Sequence, residues 1–544
     1  MPPGILYVTM SPSPSLSSAA FHDWYNNEHG PLRLRLPYCR NGFRYRALDG
    51  QDPEWMAIYD FDDTGDLATK ESYTRLRLPG VASQREFDVK SQVKIDRGMY
   101  DLVESKEVEE FKRLEEMRNE GEGNYVIAVT MTVQNGVDEK ELEKWYTEEH
   151  IPLLAKVPGW RRSRRFWTSR VDDRGKREHL ALHEYARENG VDKSEEFTRA
   201  TSTEWREKVM RDVVDEKWRR NYELYYTFRP CPRDLCNLET DWQHTDGKTR
   251  TVPKSSKKWG AIESYVTTED GVELPYRLEG SGEPDAPLIV LANSILVEYG
   301  IWDDFVDDFL STAGNGRYRI LRYNSRGRSK NAGNVPVTLD VLTSDIIALL
   351  DALRVVKAAA IIGVSLGGAT TLNTALKFPD RVEALISCDT NAKAPPSNPK
   401  AWGERVEVAE KEDAQAQSGA KVVGEQLAEM TVRRWFVKES YDGAGLERKV
   451  ERVKSMVHNN SREGFKKGVQ ALYAYDMKDE MKQAKIKAAF VVGGGDGVLP
   501  KTMKEMSDEY GKGAEYFVVE GAGHLPMVEK PKEVAQFASK FLSS

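Results

Sequence analysis

Hydrophobic positions along the chain keep one rhythm up to about residue 228 and another from about residue 259. In the first part, β-branched or alternating segments at residues 5–10, 55–61, 125–133 and 180–185 predict strands. More polar strands are expected at 43–47 and 164–168, with short closing strands at 100–103 and 222–228. Charged stretches at 74–91 and 193–216 predict helices, and an aromatic-rich helix precedes each polar strand. The order is β-α-β-β-α-β, twice, which is the split βαβ, ferredoxin-like plan. Such a sheet has one helix-covered face and one bare face, and two copies can close their bare faces on each other.

The second rhythm is different. Residues 261–266 and 272–278 read as a hairpin around Glu269-Asp270-Gly271. Residues 288–292 are wholly apolar, as expected of a strand buried on both faces. Further strands are predicted at 318–323, 359–364, 488–492 and 515–519, with helical patterns at 301–310, 341–353 and 370–378. Strands alternating with helices predict a parallel, doubly wound sheet. Residues 229–258 are polar, proline-containing and without period, and read as a linker.

The first part is an internal repeat. Val8-Thr9-Met10 recurs as Val129-Thr130-Met131, and WYNNEHGPL from Trp24 recurs as WYTEEHIPL from Trp145, at one offset of 121 residues. Pro37 recurs as Pro158, and Glu54 to Tyr59 matches Glu178 to His183 with a small shift. A constant register over so many positions implies a tandem duplication, with units at 1–120 and 121–228. The WY-x-x-EH-x-P-L segment after an N-terminal strand resembles the EthD-like branch of the dimeric α/β-barrel superfamily. That resemblance implies a pseudo-dimeric barrel with a central pocket, and members that act on aromatic or polyketide-like compounds. His29 and His150 are the chemically interesting repeat positions. They are either general acid/base groups facing that pocket, with Glu28 or Glu149 nearby, or helix-end histidines that serve the fold.

Composition narrows the function classes. Of 544 residues, 40% are hydrophobic and 31% charged, as in a globular protein, and the formal charge of −8 argues against a nucleic-acid partner. The four cysteines lack C-x-x-C spacing, so neither a disulfide framework nor a zinc site is expected. No apolar run reaches membrane-spanning length, and the N-terminus does not read as a signal peptide; a cytoplasmic location is expected.

Chemistry concentrates in the second part. Gly363-Val364-Ser365-Leu366-Gly367 follows a predicted strand and opens a predicted helix, the context of a G-x-S-x-G nucleophile elbow. A serine hydroxyl is protonated at neutral pH and needs a positioned base. His524, in Gly523-His524-Leu525-Pro526 after the last strand, is that base. Asp496, in the glycine-rich turn after 488–492, is the orienting acid; Asp389, which also ends a strand, is its rival. The Leu366 N–H and the Ile295 N–H, in the loop after 288–292, would hold an oxyanion.

Residues 259–544 resemble the α/β-hydrolase superfamily, and within it 3-oxoadipate enol-lactonases. The matching segments are FPDRVEAL from Phe378, RRWF from Arg433, NSREGF from Asn460, Gly523-His524 and Glu529-Lys530-Pro531. The resemblance implies a helical cap at about 397–482, with Trp435 lining the substrate pocket. Asn324 stands where Asp is typical, and enol-lactonases do not normally carry a duplicated barrel.

The expectation is therefore two ferredoxin-like units forming a pseudo-dimeric α/β barrel, followed by a capped α/β-hydrolase. The hydrolase would cleave an ester, enol-lactone or thioester of a small molecule through an acyl-enzyme, with no metal or organic cofactor. Two alternatives stand beside it: a lyase or cyclase step in the barrel at His29 or His150, and a barrel that serves only as a dimerisation or docking module, making a homodimer.

Overall fold

The computed structural model describes residues 1–69, 73–116, 124–442 and 445–544, the side chain of Glu115 excepted. The boundary expected at residue 120 lies outside the described residues. The chain divides into two compact units, Met1–Pro232 with His244–Asp246, and Arg233–Gln243 with Gly247–Ser544.

The first unit is a closed barrel. Its strands are β1 (Gly4–Pro12), β2 (Cys39–Ala47), β3 (Trp55–Phe61), β4 (Val93–Glu107), β5 (Tyr125–Val133), β6 (Trp160–Thr168), β7 (His179–Tyr185) and β8 (Val214–Thr227). They pair in the order β1-β3-β2-β8-β5-β7-β6-β4. Each repeat keeps the ferredoxin-like order, and the seams are β2 with β8 and β4 with β6, all antiparallel. Strand alternation sorts the side chains. Ile5, Tyr45 and Tyr100 of one repeat meet Val126, Phe166 and Tyr222 of the other inside the barrel. The opposite face carries Leu6, Val8 and Met10, packed under helix residues Phe21 and Trp24. Packed side chains occupy much of the interior where the resemblance implies a central pocket, and a cavity of about 210 Å³ lined by Ile5, Leu102, Arg164 and Phe166 remains.

Two expected helices are broken and two expected strands are longer. In place of one helix over 74–91 there is a turn of 3-10 helix, Tyr73–Arg77, and a helix Gln84–Lys90. Pro79 cannot donate to a helix ladder, and Ser83 recaps the chain by accepting the Glu86 N–H at 3.0 Å. Residues 193–216 split likewise into Glu195–Ala200 and Glu204–Asp212, the second capped by Thr203. β4 and β8 run 15 and 14 residues because each pairs with both repeats.

In both repeats the WY-x-x-EH segment is a single π-helical turn, Tyr25–His29 and Tyr146–His150. Pro31 and Pro152 follow two residues later and lack an N–H. The ladder instead closes through wider bonds, Gly30 N–H to Tyr25 O and Ile151 N–H to Tyr146 O.

The second unit is a ten-stranded sheet in the order β18-β17-β16-β15-β13-β14-β12-β11-β10-β9. Its strands are β9 (Trp242–Gln243), β10 (Arg250–Val252), β11 (Ala261–Thr267), β12 (Glu273–Gly280), β13 (Leu288–Ala292), β14 (Arg319–Tyr323), β15 (Ala360–Val364), β16 (Ala384–Cys388), β17 (Lys487–Gly493) and β18 (Glu515–Val519). From β14 through β18 the pairs are parallel, with helices between successive strands. The stretch read as a linker supplies β9 and β10, which extend this sheet from its antiparallel end. Between β16 and β17 the chain inserts, among the described residues, five α-helices, from Asn398–Glu412 to Lys478–Met481. Among the described residues, no helix is long and apolar enough to cross a membrane.

Candidate active site

The carboxyl ends of the parallel strands gather the chemistry. Ser365 follows β15 directly, with φ 58° and ψ −118°, and the helix Leu366–Lys377 starts at the next residue. A non-glycine residue held there costs about 1–3 kcal/mol, so the surroundings must impose it. They do: the Ser365 N–H donates to Cys388 O at 2.8 Å, and its carbonyl accepts from the Ala369 N–H and the Thr390 hydroxyl. Gly367 is obligatory, because a Cβ there would lie 2.3 Å from Ala292 O. The turn leaves the Leu366 N–H at the helix N-terminus, where amide groups favour negative charge.

The loop after β13 is fixed from both sides. Asn293 donates to Tyr323 O at 2.7 Å and accepts from the Trp302 indole at 3.0 Å. Ile295 is buried, and Leu296 has φ 70°.

His524 and Asp496 meet from consecutive strand ends. The His524 Nδ1–H donates to Asp496 Oδ2 at 2.7 Å, and both side chains are 13–15% exposed. A carboxylate can only accept, so this bond leaves Nε2 of neutral His524 as the basic nitrogen. Their loops approach closely: a Cβ on Gly493 would lie 1.9 Å from Gly523 O. The His524 N–H donates to Trp435 O at 2.6 Å, and the Trp435 ring lies over the imidazole with centroids 5.6 Å apart. Glu529 ties loop and cap together by accepting from the Gly523 N–H at 2.6 Å and from the Val437 N–H at 3.2 Å.

Asp389, at the end of β16, is the neighbour of this pair. Polar atoms of Asp389, Asp496 and His524 all lie within 4.8 Å of one another, the one such cluster of candidate metal ligands among the described residues. The His524 nitrogen in it is committed to Asp496. Burial, and then the Asp496 charge, push the Asp389 carboxyl well above the usual carboxylate range.

The cap adds two cations. Arg405 and Arg434 lie over the Trp402 ring at 4.7 and 5.5 Å. Burial, then the Arg405 charge, lower Arg434 to about 10, while Asp496 opposes the shift. Arg434 is nevertheless exposed to solvent. The role of Glu529 and the Arg405–Arg434 pair were missed in the sequence; the only signals were the Glu529-Lys530-Pro531 and Arg433-Arg434-Trp435-Phe436 segments.

The repeat histidines lie elsewhere, between helix and sheet on the outside of the barrel. The His29 Nδ1–H donates to Glu86 at 2.9–3.0 Å, which also accepts from the Trp24 indole at 2.8 Å. Burial lowers His29 to about 4. His150 donates to Ala200 O at 3.1 Å and stacks on Trp145, and burial holds its pKa far below the ordinary histidine value. The arginine run is engaged as well: Arg162 and Arg164 pair with Glu184, and Arg165 with Glu104. A cavity of about 330 Å³ opens instead beside His22, walled by Phe21, Trp55 and Tyr225. The Arg44 guanidinium donates to His22 Nδ1, and burial, then that charge, lower His22 to about 3.

Residues 287–531 match the family model described as alpha/beta hydrolase fold. The second unit has the alpha/beta hydrolase fold. The chain is 26% identical over 280 residues to 3-oxoadipate enol-lactonase 1 of Acinetobacter baylyi, covering 51% of this chain and 96% of that one. To 3-oxoadipate enol-lactonase 2 of the same organism it is 27% identical over 259 residues, 46% and 86% of the two chains. Among solved structures, the enol-lactonase from Burkholderia xenovorans LB400 is 26% identical, covering 52% of this chain and 100% of that one, with a TM-score of 0.45. Fold and relatives support hydrolase activity in this half of the chain.

Proposed function

We propose that the α/β-hydrolase unit is a serine hydrolase that cleaves a carboxylic ester, an enol-lactone or a thioester. The observation that carries this reading is the 2.7 Å bond from His524 to Asp496, formed at the same sheet edge as the elbow serine. In the proposed cycle, Ser365 Oγ attacks the substrate carbonyl while His524 Nε2 takes its proton. Asp496 holds the imidazole's tautomer and balances the imidazolium charge. The Leu366 and Ile295 N–H groups receive the oxyanion; losing one such donor typically costs about 10²–10³ in rate. The tetrahedral adduct collapses, His524 gives its proton to the leaving oxygen or sulfur, and the acyl group remains on Ser365. Water, deprotonated by His524, then attacks the acyl carbon and releases the acid.

The names of the relatives support assaying enol-lactones first. The solvent-exposed guanidinium of Arg434, which stacks on Trp402 beside Arg405, supports an acyl compound carrying an anionic group. The test is hydrolysis of a panel of lactones, esters and thioesters by the wild type and by Ser365→Ala. Activity lost in the variant is the expected result; wild-type turnover in it contradicts the mechanism. A second reading, chemistry in the barrel, is favoured by the cavity beside His22 rather than by His29 or His150, which are committed to the fold.

A further inference from the structure

Asp389 has a setting that a structural carboxylate does not need. It is 1% exposed and sits at φ 47°, a backbone region that aspartate enters at a cost. Its Oδ1 accepts the Gly493 N–H at 2.9 Å, from the strand that leads to Asp496. Its Oδ2 is buried and has no hydrogen-bond partner among the described residues. Among the described residues no lysine or arginine is paired with it, and the ionisable groups that face it are Asp496 from the loop after β17, Tyr516 of β18, Glu529 from the turn after His524, His524 itself and the adjacent Cys388.

A fully buried carboxyl beside a half-buried one disfavours ionisation of both without a counter-charge for each. The His524 Nδ1–H is bonded to Asp496. The arrangement favours a proton on one of the two. Asp496 is the carboxyl that accepts from the imidazole, and Asp389, bonded through Oδ1 to the Gly493 N–H, is the deeper one with an idle Oδ2.

Resting on the serine-hydrolase reading above, we propose that Asp389 is a neutral carboxylic acid that donates its Oδ2–H to the Asp496 carboxylate and so positions it for His524. The Asp496 charge would then be divided between two donors, His524 Nδ1–H on one side and the Asp389 O–H on the other. That sharing fixes the rotamer of Asp496 and lowers its basicity, so that the proton taken from Ser365 stays on the imidazole. Asp389 is a positioning residue in this scheme; it touches neither substrate nor nucleophile.

The test combines a protonation readout with a reactivity readout on the full-length protein. Infrared difference spectra between the wild type and Asp389→Asn near neutral pH are expected to contain the carbonyl band of a protonated carboxylic acid, lost in the variant. A carboxylate band in its place overturns the proposal. The rate of Ser365 modification by a fluorophosphonate, followed against pH, is the second readout. Asp389→Asn keeps a neutral donor and is expected to retain the rate and the acidic limb of the wild type. Asp389→Ala removes the donor and is expected to slow modification by roughly 10- to 100-fold. A limb that moves to lower pH in Asp389→Asn would mean that a negative charge was removed, and an unchanged rate in Asp389→Ala would mean that the residue positions nothing; either result overturns the proposal. An infrared band without any labelling of wild-type Ser365 would count against the serine-hydrolase reading and against the positioning role, while leaving the proton on Asp389 established.

Discussion

At the scale of single residues, the site depends on contacts that no other side chain can replace. Gly367 lies so close to Ala292 O that one added methyl must push the elbow away from the loop of Ile295. Gly367→Ala is therefore expected to lower hydrolysis by about 10²-fold or more through a displaced oxyanion donor, with circular dichroism close to wild type; wild-type turnover would show that the two loops are not held together. Arg434 offers a charge at the cap rather than a reacting group. Arg434→Ala is expected to reduce kcat/KM for anionic acyl substrates by about tenfold and to leave neutral esters nearly unchanged. Equal losses on both classes would assign Arg434 to cap packing.

At the scale of elements, the two π-helical turns show how one local rule builds both repeats. A proline two residues after the histidine removes a ladder donor, the turn widens, and the histidine is driven down onto the sheet under its tryptophan. Glu86 then completes the first repeat by accepting from His29 and Trp24 at once. Glu86→Ala is expected to destabilise the barrel by about 3 kcal/mol, because it leaves buried donors unpaired; an unchanged urea midpoint would mean that water replaces the carboxylate. These elements also mark what the sequence discloses. Strands with strict alternation or full apolarity, such as β3, β5, β13 and β18, were legible to the residue. The elbow was legible because glycine spacing reports backbone collisions. The lengths of β4 and β8 were not, since their ends are set by partners in the other repeat. Nor was the interior of the barrel, where filling depends on side chains from eight strands. The Asp389 neighbourhood was hidden for a similar reason: residues 389 and 496 are adjacent only through the pairing of β16 with β17.

At the scale of the whole molecule, the barrel carries an acid sensitivity that the hydrolase site does not need. Burial lowers His29 to about 4 and His183 to about 3, and holds His150 and His179 well below the ordinary value. In the unfolded chain these groups bind protons below about pH 6.5, whereas in the folded barrel they stay neutral. Their stabilisation is complete above that pH and is lost as pH falls toward the folded values. Each fully buried histidine is expected to cost up to about 1.4 kcal/mol between about pH 7.5 and 5.5. Urea unfolding of the full chain at those two values checks this, with His183→Gln expected to show a smaller loss than the wild type; an equal loss would place the acid sensitivity elsewhere.

The central claim, that Ser365 is an activated nucleophile served by His524 and Asp496, is tested most directly by intact-mass and peptide mapping after reaction with a fluorophosphonate. A single adduct on Ser365, absent in His524→Ala, is the predicted result. An adduct on another residue, or equal modification of Ser365 in His524→Ala, would contradict it.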